Sequence, residues 1–357
     1  MESISKKAEK ISKSITWKGI TIGVITLLLL IPSTMVINLI HERQNRSKET
    51  IKKINDLWSQ DQTLAGPILT IPYENVTVDE KNNETIDVSY LNITPEVLNI
   101  QGKLFPEERH YGIYKSILYK SDINIEGSFP VIDFSKIKYT RIKWEDATIR
   151  IGISDLRGVM QNPDLIVDGK HLAMDAGGIY SDGIGNGLIG AIDLSSDSVL
   201  VKKISFSCPL QLKGSNSINF VPIGKTTNVK LSGAWKDPGF TGSFNPEHKI
   251  TGKDFTAEWN VLHFNRNIPE QWVNNLSQSF DESSFGVNLV NVVDHYQQTE
   301  RSAKYAIMFI SLTFVVFFFV EIITRKRVHA IQYVLVGLAL ILFYSLLLSI
   351  SEQIGFG

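Results

Sequence analysis

Three long apolar segments constrain the fold of this chain more than any other feature of its sequence. Residues 20–40, 305–320 and 333–350 contain no aspartate, glutamate, lysine or arginine. An α-helix rises about 1.5 Å per residue, so about 20 residues are needed to cross the roughly 30 Å hydrocarbon core of a bilayer. The segments therefore predict three transmembrane helices, which we place at residues 20–40, 305–323 and 333–350.

The first segment follows a basic stretch, as the apolar core of a signal peptide does. Its apolar run is long, and no small-x-small pair follows it, because the chain continues with Asn38, Leu39, Ile40 and His41. Both features favour an uncleaved membrane anchor over a cleaved signal. Pro32 lies inside this anchor and predicts a mild kink, which membrane helices tolerate.

Basic residues flank the apolar segments unevenly. Residues 1–19 contain five lysines, and the short loop 324–332 contains Arg325, Lys326 and Arg327. The positive-inside rule places both stretches in the cytoplasm, so residues 41–304 and the tail 351–357 are expected on the outer side. The sequence thus predicts a multi-pass protein of a bacterial inner membrane, with the lipid bilayer as a partner and a large periplasmic domain.

Residues 41–304 have the pattern of a mainly β domain. Apolar residues alternate with other residues at Ile149, Ile151 and Ile153, and again over residues 255–261, which is the period of a strand buried on one face. Asp168 and Gly169 lie between two such runs and form a typical two-residue hairpin turn. The predicted fold class is a mainly β extracytoplasmic domain, an antiparallel sandwich, plus α-helical transmembrane segments.

Two shorter segments have the spacing of amphipathic helices. Apolar residues over 51–58 predict a helix directly after the first membrane segment, and Trp272, Leu276 and Phe280 recur every four residues and predict another. Gly177, Gly178 and the run Gly183, Gly185, Gly187 and Gly190 lack the context of a phosphate-binding loop, so we interpret them as a mobile loop.

Composition and motifs exclude several classes of function. The outer domain has more acidic than basic residues, so nucleic acid is not expected as a partner. Cys208 is the single cysteine, which excludes an intramolecular disulfide, and its alternating neighbours predict a core position. The seven histidines lack metal-site spacing, and no nucleophile elbow is present, so we predict no metal, no cofactor and no catalytic residues, and favour a non-enzymatic protein.

Asp155 and Arg157 form the candidate site pair. They follow the strand around Ile151 and fall on the same side if that strand continues, close enough to pair. The pair is either a structural ion pair at a strand end or a ligand contact. In the membrane segments, Glu321 is one helical turn from Arg325, and we expect its carboxylate to extend toward that arginine at the interface.

Several stretches resemble the CreD family, the bacterial inner-membrane proteins named for cell-envelope integrity. They include GPILTIPY at residues 66–73, IRIGISDLRGV at 149–159, KLSGAWKDPGFTGSFNP at 230–246 and HAIQYVLVGLALILFYSLLLSISEQIGF at 329–356. The resemblance covers the chain from end to end in order and spacing. Members of the family continue with further membrane helices after the position of Phe356. The resemblance therefore implies that this chain stops before those helices.

The resemblance implies a role in cell-envelope integrity and stress response, and it brings no catalytic residues with it. One hypothesis is a binding protein, whose outer β domain recognises an envelope component or a membrane-protein partner. The alternative is a membrane enzyme or transporter that acts on lipid-linked envelope material. Polar groups that face each other inside the helix bundle would favour the alternative.

Overall fold

The computed structural model describes residues 15–78, 84–180, 185–195, 202–275, 280–289, 295–324 and 328–354. The chain divides into two compact units. We call them the membrane unit (Met1–Thr50, Gly112–Tyr114 and Val292–Gly357) and the sandwich unit (Ile51–Tyr111 and Lys115–Asn291).

Within these described ranges the helices are α1 (Ile15–Leu28), α2 (Leu30–Trp58), α3 (His295–Lys304), α4 (Ala306–Thr324) and α5 (Ala330–Ile354). Three helical stretches of the described chain are long and apolar enough to cross a membrane, namely Trp17–Trp58, His295–Thr324 and Ala330–Gln353. Pro32 explains the interruption between α1 and α2, because it has no N–H to donate to the carbonyl of Leu28.

The membrane unit packs its helices closely around Gly337. A Cβ at that position would lie 2.3 Å from Leu29 Cδ1 and 3.1 Å from Phe314 Cζ. Because glycine has no Cβ, three helical segments can meet here. Ile310 and Tyr333 belong to the same buried cluster. Small residues at such contacts are typical of helix packing in membranes, where close backbone approach replaces the hydrophobic effect.

The strands in the described ranges are β1 (Gln62–Val78), β2 (Glu84–Ile93), β3 (Val97–Tyr111), β4 (Tyr114–Phe129), β5 (Arg141–Ile142), β6 (Ala147–Ile153), β7 (Asp164–Val167), β8 (Lys170–Ala173), β9 (Asp175–Tyr180), β10 (Gly185–Ile192), β11 (Ile204–Ser215), β12 (Ser217–Phe220), β13 (Thr226–Gly233), β14 (Gly239–Gly242), β15 (Glu247–Thr251), β16 (Asp254–Leu262), β17 (Gln271–Val273) and β18 (Phe285–Asn288). They form a ten-stranded and an eight-stranded sheet.

The ten-stranded sheet has the order β14-β18-β12-β1-β6-β10-β9, with β2, β5 and β17 joined on at β1 and β2. The long strand β1 therefore organises this sheet, because it pairs with β12, β2, β5 and β6 along its length. The eight-stranded sheet has the order β15-β16-β13-β3-β4-β11-β7-β8. Each sheet is mixed, since β1 is parallel to β12 and β3 is parallel to β13.

One hydrophobic core joins the two sheets. Leu69, Ile149 and Ile151 from the ten-stranded sheet belong to the same buried cluster as Ile123 and Cys208 from the eight-stranded sheet. This arrangement confirms the predicted fold class, a mainly β domain together with apolar helices, and about 44% of the described residues lie in strands. Cys208 is fully buried, as its alternating neighbours predicted.

Local predictions met different outcomes. Asp168 and Gly169 form the predicted turn between β7 and β8, with φ of 48° and 79°, and residues 51–58 are helical as part of α2. The helix predicted around Trp272 is wrong, because Trp272 lies in β17 and pairs with Asn92. Leu276 lies outside the described residues. The loop predicted for the glycine-rich stretch is wrong over Asp175–Tyr180 and Gly185–Ile192, because these residues form strands β9 and β10.

Candidate functional site

Asp155 and Arg157 contact each other directly, as the sequence predicted they could. The guanidinium of Arg157 donates from Nε to Asp155 Oδ1 at 2.9 Å and from Nη2 to Oδ2 at 2.8 Å. Asp155 also caps the short 3-10 helix Leu156–Gly158, by accepting from the backbone N–H of Arg157. The pair therefore closes the turn that ends β6.

The same carboxylate fastens the start of β1 to this turn. Asp155 Oδ2 accepts from the backbone N–H of Gln60 at 2.9 Å and from Ser59 Oγ at 3.1 Å, and Arg157 Nη1 donates to the carbonyl of Asp56 at 2.8 Å. We call Asp56, Ser59, Gln60, Asp155 and Arg157 the junction clamp. The contacts of the junction clamp described above are with the chain itself, which fits a structural role. A ligand contact by the pair stays a prediction.

The charges of the junction clamp set the protonation of Asp155. Partial burial alone would raise the pKa of this carboxyl, but hydrogen bonds from Arg157 and from the N–H of Gln60 outweigh it and lower the pKa to about 2. The carboxylate is therefore ionised throughout the physiological range, and its hydrogen bonds are charge-assisted.

A polar pocket lies on the ten-stranded sheet, and none of its residues was singled out by the sequence analysis. It encloses about 440 Å³, within the range typical of small-molecule sites. We call it the Arg150 pocket. Its lining residues come from β1, β2, β6 and the segments beside them, and they are Thr70, Pro72, Val88, Tyr90, Asn92, Asp146, Thr148, Arg150, Asn274 and Asn275.

Strand register brings the polar residues to one face of the sheet. Thr70 of β1 is paired with Asn92 of β2 on one side and with Thr148 of β6 on the other. Leu69 and Ile149 are also paired and point to the opposite face, into the core, because successive side chains of a strand alternate between faces. The pocket therefore lies on the face opposite the core shared by the two sheets.

Arg150 is the deepest charged group of the pocket. Only 6% of its surface is exposed. Its Nε donates to Thr70 Oγ1 at 3.2 Å and its Nη2 donates to Asn92 Oδ1 at 2.9 Å. These two bonds orient the guanidinium against β1 and β2. An oriented, desolvated guanidinium is well suited to bind an anionic group.

Asn92 and Asn274 hold the wall of the pocket in place. Asn92 Oδ1 accepts from Thr70 Oγ1 at 2.8 Å, while its Nδ2 donates to the backbone carbonyl of Asn274 at 2.9 Å. Asn274 in turn exchanges two hydrogen bonds with the backbone of Tyr90, through its N–H and its side-chain oxygen, both at 2.8 Å. Asn274 has a φ of 57°, a left-handed conformation that asparagine tolerates better than most residues.

A β-bulge lies directly beside Arg150. The register between β1 and β6 shifts between Ala65 and Ile68, and Gly66 within it has a φ of 126°. A Cβ on Gly66 would lie 2.9 Å from the carbonyl oxygen of Arg150. Glycine is therefore required here on two grounds, backbone conformation and close approach, and the bulge helps to set where Arg150 points.

The rim of the pocket carries the opposite charge. Asp146 ends the short 3-10 helix Trp144–Asp146, and its side chain is 58% exposed. Lys143 Nζ lies 3.9 Å from Asp146 but 3.0 Å from Glu74, so Glu74 is its principal partner. The lining residues thus combine a buried cation with an exposed anion.

The membrane unit contains its own ion pair. Glu321 of α4 is buried and contacts the ammonium group of Lys18 in α1. The expectation that Glu321 extends toward Arg325 stays a prediction, because Arg325 lies outside the described residues. At the other end of these helices Glu352 accepts a hydrogen bond from Tyr296 at 3.1 Å.

Metal-binding chemistry has no candidate in the part of the chain that the structure describes. Those residues contain no group of three or more histidine, cysteine, aspartate or glutamate side chains placed to hold an ion. The thiol of Cys208 is a poor nucleophile, because burial, and to a lesser degree the charge of Asp164, raises its pKa to about 12.

Apolar helices able to span a membrane, together with a large β-sandwich, define a membrane protein with a β-rich domain. The family model described as inner membrane protein CreD matches residues 14–357. The inner membrane protein CreD of Escherichia coli (strain K12) is 31% identical to this chain over 347 residues, which cover 95% of this chain and 76% of that protein. The chain belongs to the CreD family of inner membrane proteins.

A solved structure, the M1 zinc metallopeptidase from Deinococcus radiodurans, is similar over 54% of this chain and 42% of that one. Its sequence identity is 5% and its TM-score is 0.24, so it carries no argument about fold or activity.

Proposed function

We propose that this chain supports cell-envelope integrity and the stress response by binding an envelope component in the Arg150 pocket. In this proposal the protein crosses the bacterial inner membrane several times, and the sandwich unit lies in the periplasm. Membership of the CreD family and the distribution of basic residues support the location. The buried, oriented guanidinium of Arg150 is the observation that carries the binding role.

A rescue experiment tests the binding role. A strain that lacks the gene would be complemented with the wild type, with Arg150→Gln, and with Arg141→Gln as the matched control. Arg141 lies in β5 on the same sheet, but it is exposed, pairs with Glu145 and does not line the pocket. We expect Arg150→Gln to lose rescue of the envelope defect at normal protein level, while Arg141→Gln retains it. Equal rescue by both variants would contradict the proposal.

Single-cysteine labelling in intact cells tests the location. On a Cys208→Ser background, an impermeant thiol reagent should label a cysteine at Lys249, an exposed residue of β15, and should not label one at Ser12 or Thr324. The opposite pattern would place the sandwich unit in the cytoplasm and remove the case for an envelope ligand.

The alternative function, a membrane enzyme or transporter for lipid-linked envelope material, is favoured by two observations. Lys18 and Glu321 form an ion pair among apolar helices, and the buried hydroxyl of Tyr333 has no hydrogen-bond partner among the described residues. Ionisable groups inside membrane segments often mark transport or proton pathways. Loss of rescue by Glu321→Gln together with full rescue by Arg150→Gln, both at normal protein level, would favour this alternative.

A further inference from the structure

We infer that a second site, on the eight-stranded sheet of the sandwich unit, binds a phosphate monoester. Lys120 of β4 and Lys213 of β11 supply the two positive charges of this site, and we call them the lysine pair. The inference goes beyond the proposed function, because the lysine pair and the Arg150 pocket lie on different sheets.

Strand register places the two side chains of the lysine pair next to each other. Lys120 is directly opposite Lys213 in the antiparallel pairing of β4 with β11. Tyr119 and Leu212, which precede the two lysines in the sequence, are buried in the core, so the lysines point to the opposite face of the sheet. Directly opposed residues have their Cβ atoms about 4.5–5.5 Å apart, so both ammonium groups can reach one small ligand.

The lysine pair has no matching negative charge in the described parts of the chain. Like charges at opposed positions of an antiparallel sheet are destabilising. No described carboxylate lies within ion-pair distance of either ammonium group. Asp122 lies two residues further along the same face of β4, but it accepts a hydrogen bond from Gln211 at 2.8 Å. An anionic ligand would neutralise the two charges and remove their repulsion.

An aromatic ring positions one member of the lysine pair. The ammonium group of Lys213 lies 4.9 Å from the ring centroid of Trp58, and the guanidinium carbon of Arg109 lies 5.1 Å from a ring centroid of the same side chain. Such cation–π contacts hold a flexible side chain while its positive charge is retained. Arg109 also pairs with Glu107 at 3.1 Å, so its charge is matched and the lysine pair supplies the charge of the site.

The charge of the lysine pair indicates the class of ligand. A phosphate monoester carries about −1.5 to −2 charges at pH 7 and three acceptor oxygens, so it matches two ammonium groups. A carboxylate carries one negative charge and would leave one lysine uncompensated. The outer domain as a whole has more acidic than basic residues, so its overall composition does not explain two adjacent lysines without a carboxylate.

Calorimetric titration of the full chain in neutral detergent micelles tests this inference, with glycerol 3-phosphate as the probe. We expect glycerol 3-phosphate to bind and acetate to bind about ten-fold more weakly or worse, because acetate lacks the second charge. Binding should weaken as salt is added, since exposed charges are screened. Absence of glycerol 3-phosphate binding, or equal binding of acetate, would overturn the inference.

Single variants assign the binding to the lysine pair. Lys120→Gln and Lys213→Gln should each weaken the binding of glycerol 3-phosphate about ten-fold, because each removes a hydrogen bond between charged groups. Lys230→Gln is the matched control and should change nothing, because Lys230 lies on β13 of the same sheet and pairs with Glu258 at 2.6 Å. If Lys213→Gln does not fold, the exposed Lys120 still decides, and unchanged binding by Lys120→Gln would contradict the inference.

Thermal transitions without ligand separate a binding role of Lys120 from a structural one. At low salt, Lys120→Gln should unfold at the same temperature as the wild type or above it, because the repulsion within the lysine pair is removed. Any difference should disappear at high salt, since screening removes the same repulsion in the wild type. A lower unfolding temperature for the variant would assign Lys120 to the fold and would count against the site.

A soluble molecule and a lipid headgroup can both supply a phosphate monoester, and lipid nanodiscs distinguish the two sources. In nanodiscs of phosphatidylcholine, the chain should bind glycerol 3-phosphate as it does in micelles. In nanodiscs that also contain phosphatidic acid, loss of the titration would show that the lysine pair takes the lipid, and an unchanged titration that it takes the soluble ester. Loss of binding in phosphatidylcholine alone would overturn the site. Rescue by Arg150→Gln tests the proposed function separately.

Discussion

Arg150 and Arg157 belong to the same stretch of chain and have opposite surroundings. Arg157 is about half exposed and forms a two-pronged ion pair with Asp155, which is two residues away. Arg150 is almost fully buried, and it donates hydrogen bonds to Thr70 and Asn92, which lie 80 and 58 positions away in the sequence. The guanidinium of Arg157 therefore connects residues that are close in sequence, whereas the guanidinium of Arg150 connects three strands of the ten-stranded sheet.

Replacing Arg150 should have the largest effect on stability and on rescue. A smaller effect than that of replacing Arg157 would contradict the comparison between the two arginines. Arg150→Met keeps an apolar stem but removes the donors to Thr70 and Asn92. We expect loss of envelope rescue and a loss of about 2–3 kcal/mol in the free energy of unfolding, since a charged hydrogen-bonded group is removed from a buried position. The thermal transition of the purified full chain measures the stability, with Arg141→Met as the control.

Gly66→Ala should have the next largest effect, because it acts on the same arginine through the backbone. The new Cβ would lie 2.9 Å from the carbonyl of Arg150, at a φ of 126° that alanine rarely adopts. We expect a cost of about 1–3 kcal/mol, together with weaker ligand binding. Gly112→Ala, also at positive φ but with open space around it, controls for backbone strain alone. If both variants lost ligand binding equally, the bulge at Gly66 would have no specific effect on the pocket, which would contradict the prediction.

Asp155→Asn should destabilise the protein without affecting ligand specificity. The folded-state pKa of Asp155 is about 2, below the ordinary value of 3.8, so the ionised group stabilises the fold. That contribution, about 1–2 kcal/mol, is fully present above pH 4 and is lost as the pH falls from about 4 to about 2. Thermal transitions at pH 7 and pH 2.5 measure it. The gap between wild type and variant should narrow at the lower pH, and a constant gap would contradict the assigned role.

Arg157→Gln should have the smallest effect of the four. The guanidinium is exposed, so the ion pair is screened, and Asp155 keeps its hydrogen bonds to Ser59, Gln60 and the backbone of residue 157. We expect only a small loss of thermal stability and full envelope rescue. Loss of rescue at normal protein level would instead assign Arg157 a ligand, the reading that the sequence left open.

Features that depend on residues close together in the sequence could be predicted. The apolar spans, the core position of Cys208 and the Asp168-Gly169 turn each follow from a local pattern. The contact between Asp155 and Arg157 is equally local. Trp272 shows where such reasoning fails, because its four-residue spacing indicated a helix, whereas pairing with Asn92 places it in a strand.

The Arg150 pocket could not be predicted in the same way. Its residues come from separate strands, and only the register of β1 against β2 and β6 brings Thr70, Asn92 and Arg150 together. One signal was present in the sequence, since a charged residue alternates with Ile149 and Ile151 and therefore lies on the face of β6 opposite the core. That signal indicates Arg150, but it does not identify Thr70 and Asn92 as its hydrogen-bond partners.

The buried thiol of Cys208 offers a reporter that the unmodified protein already contains. A thiol reagent can react with it only when the sandwich unit opens, because the side chain is fully buried and its pKa is raised to about 12. The rate of labelling in native vesicles therefore gives the opening equilibrium of the sandwich unit alone. The membrane helices contain no cysteine, so they contribute no background to that rate.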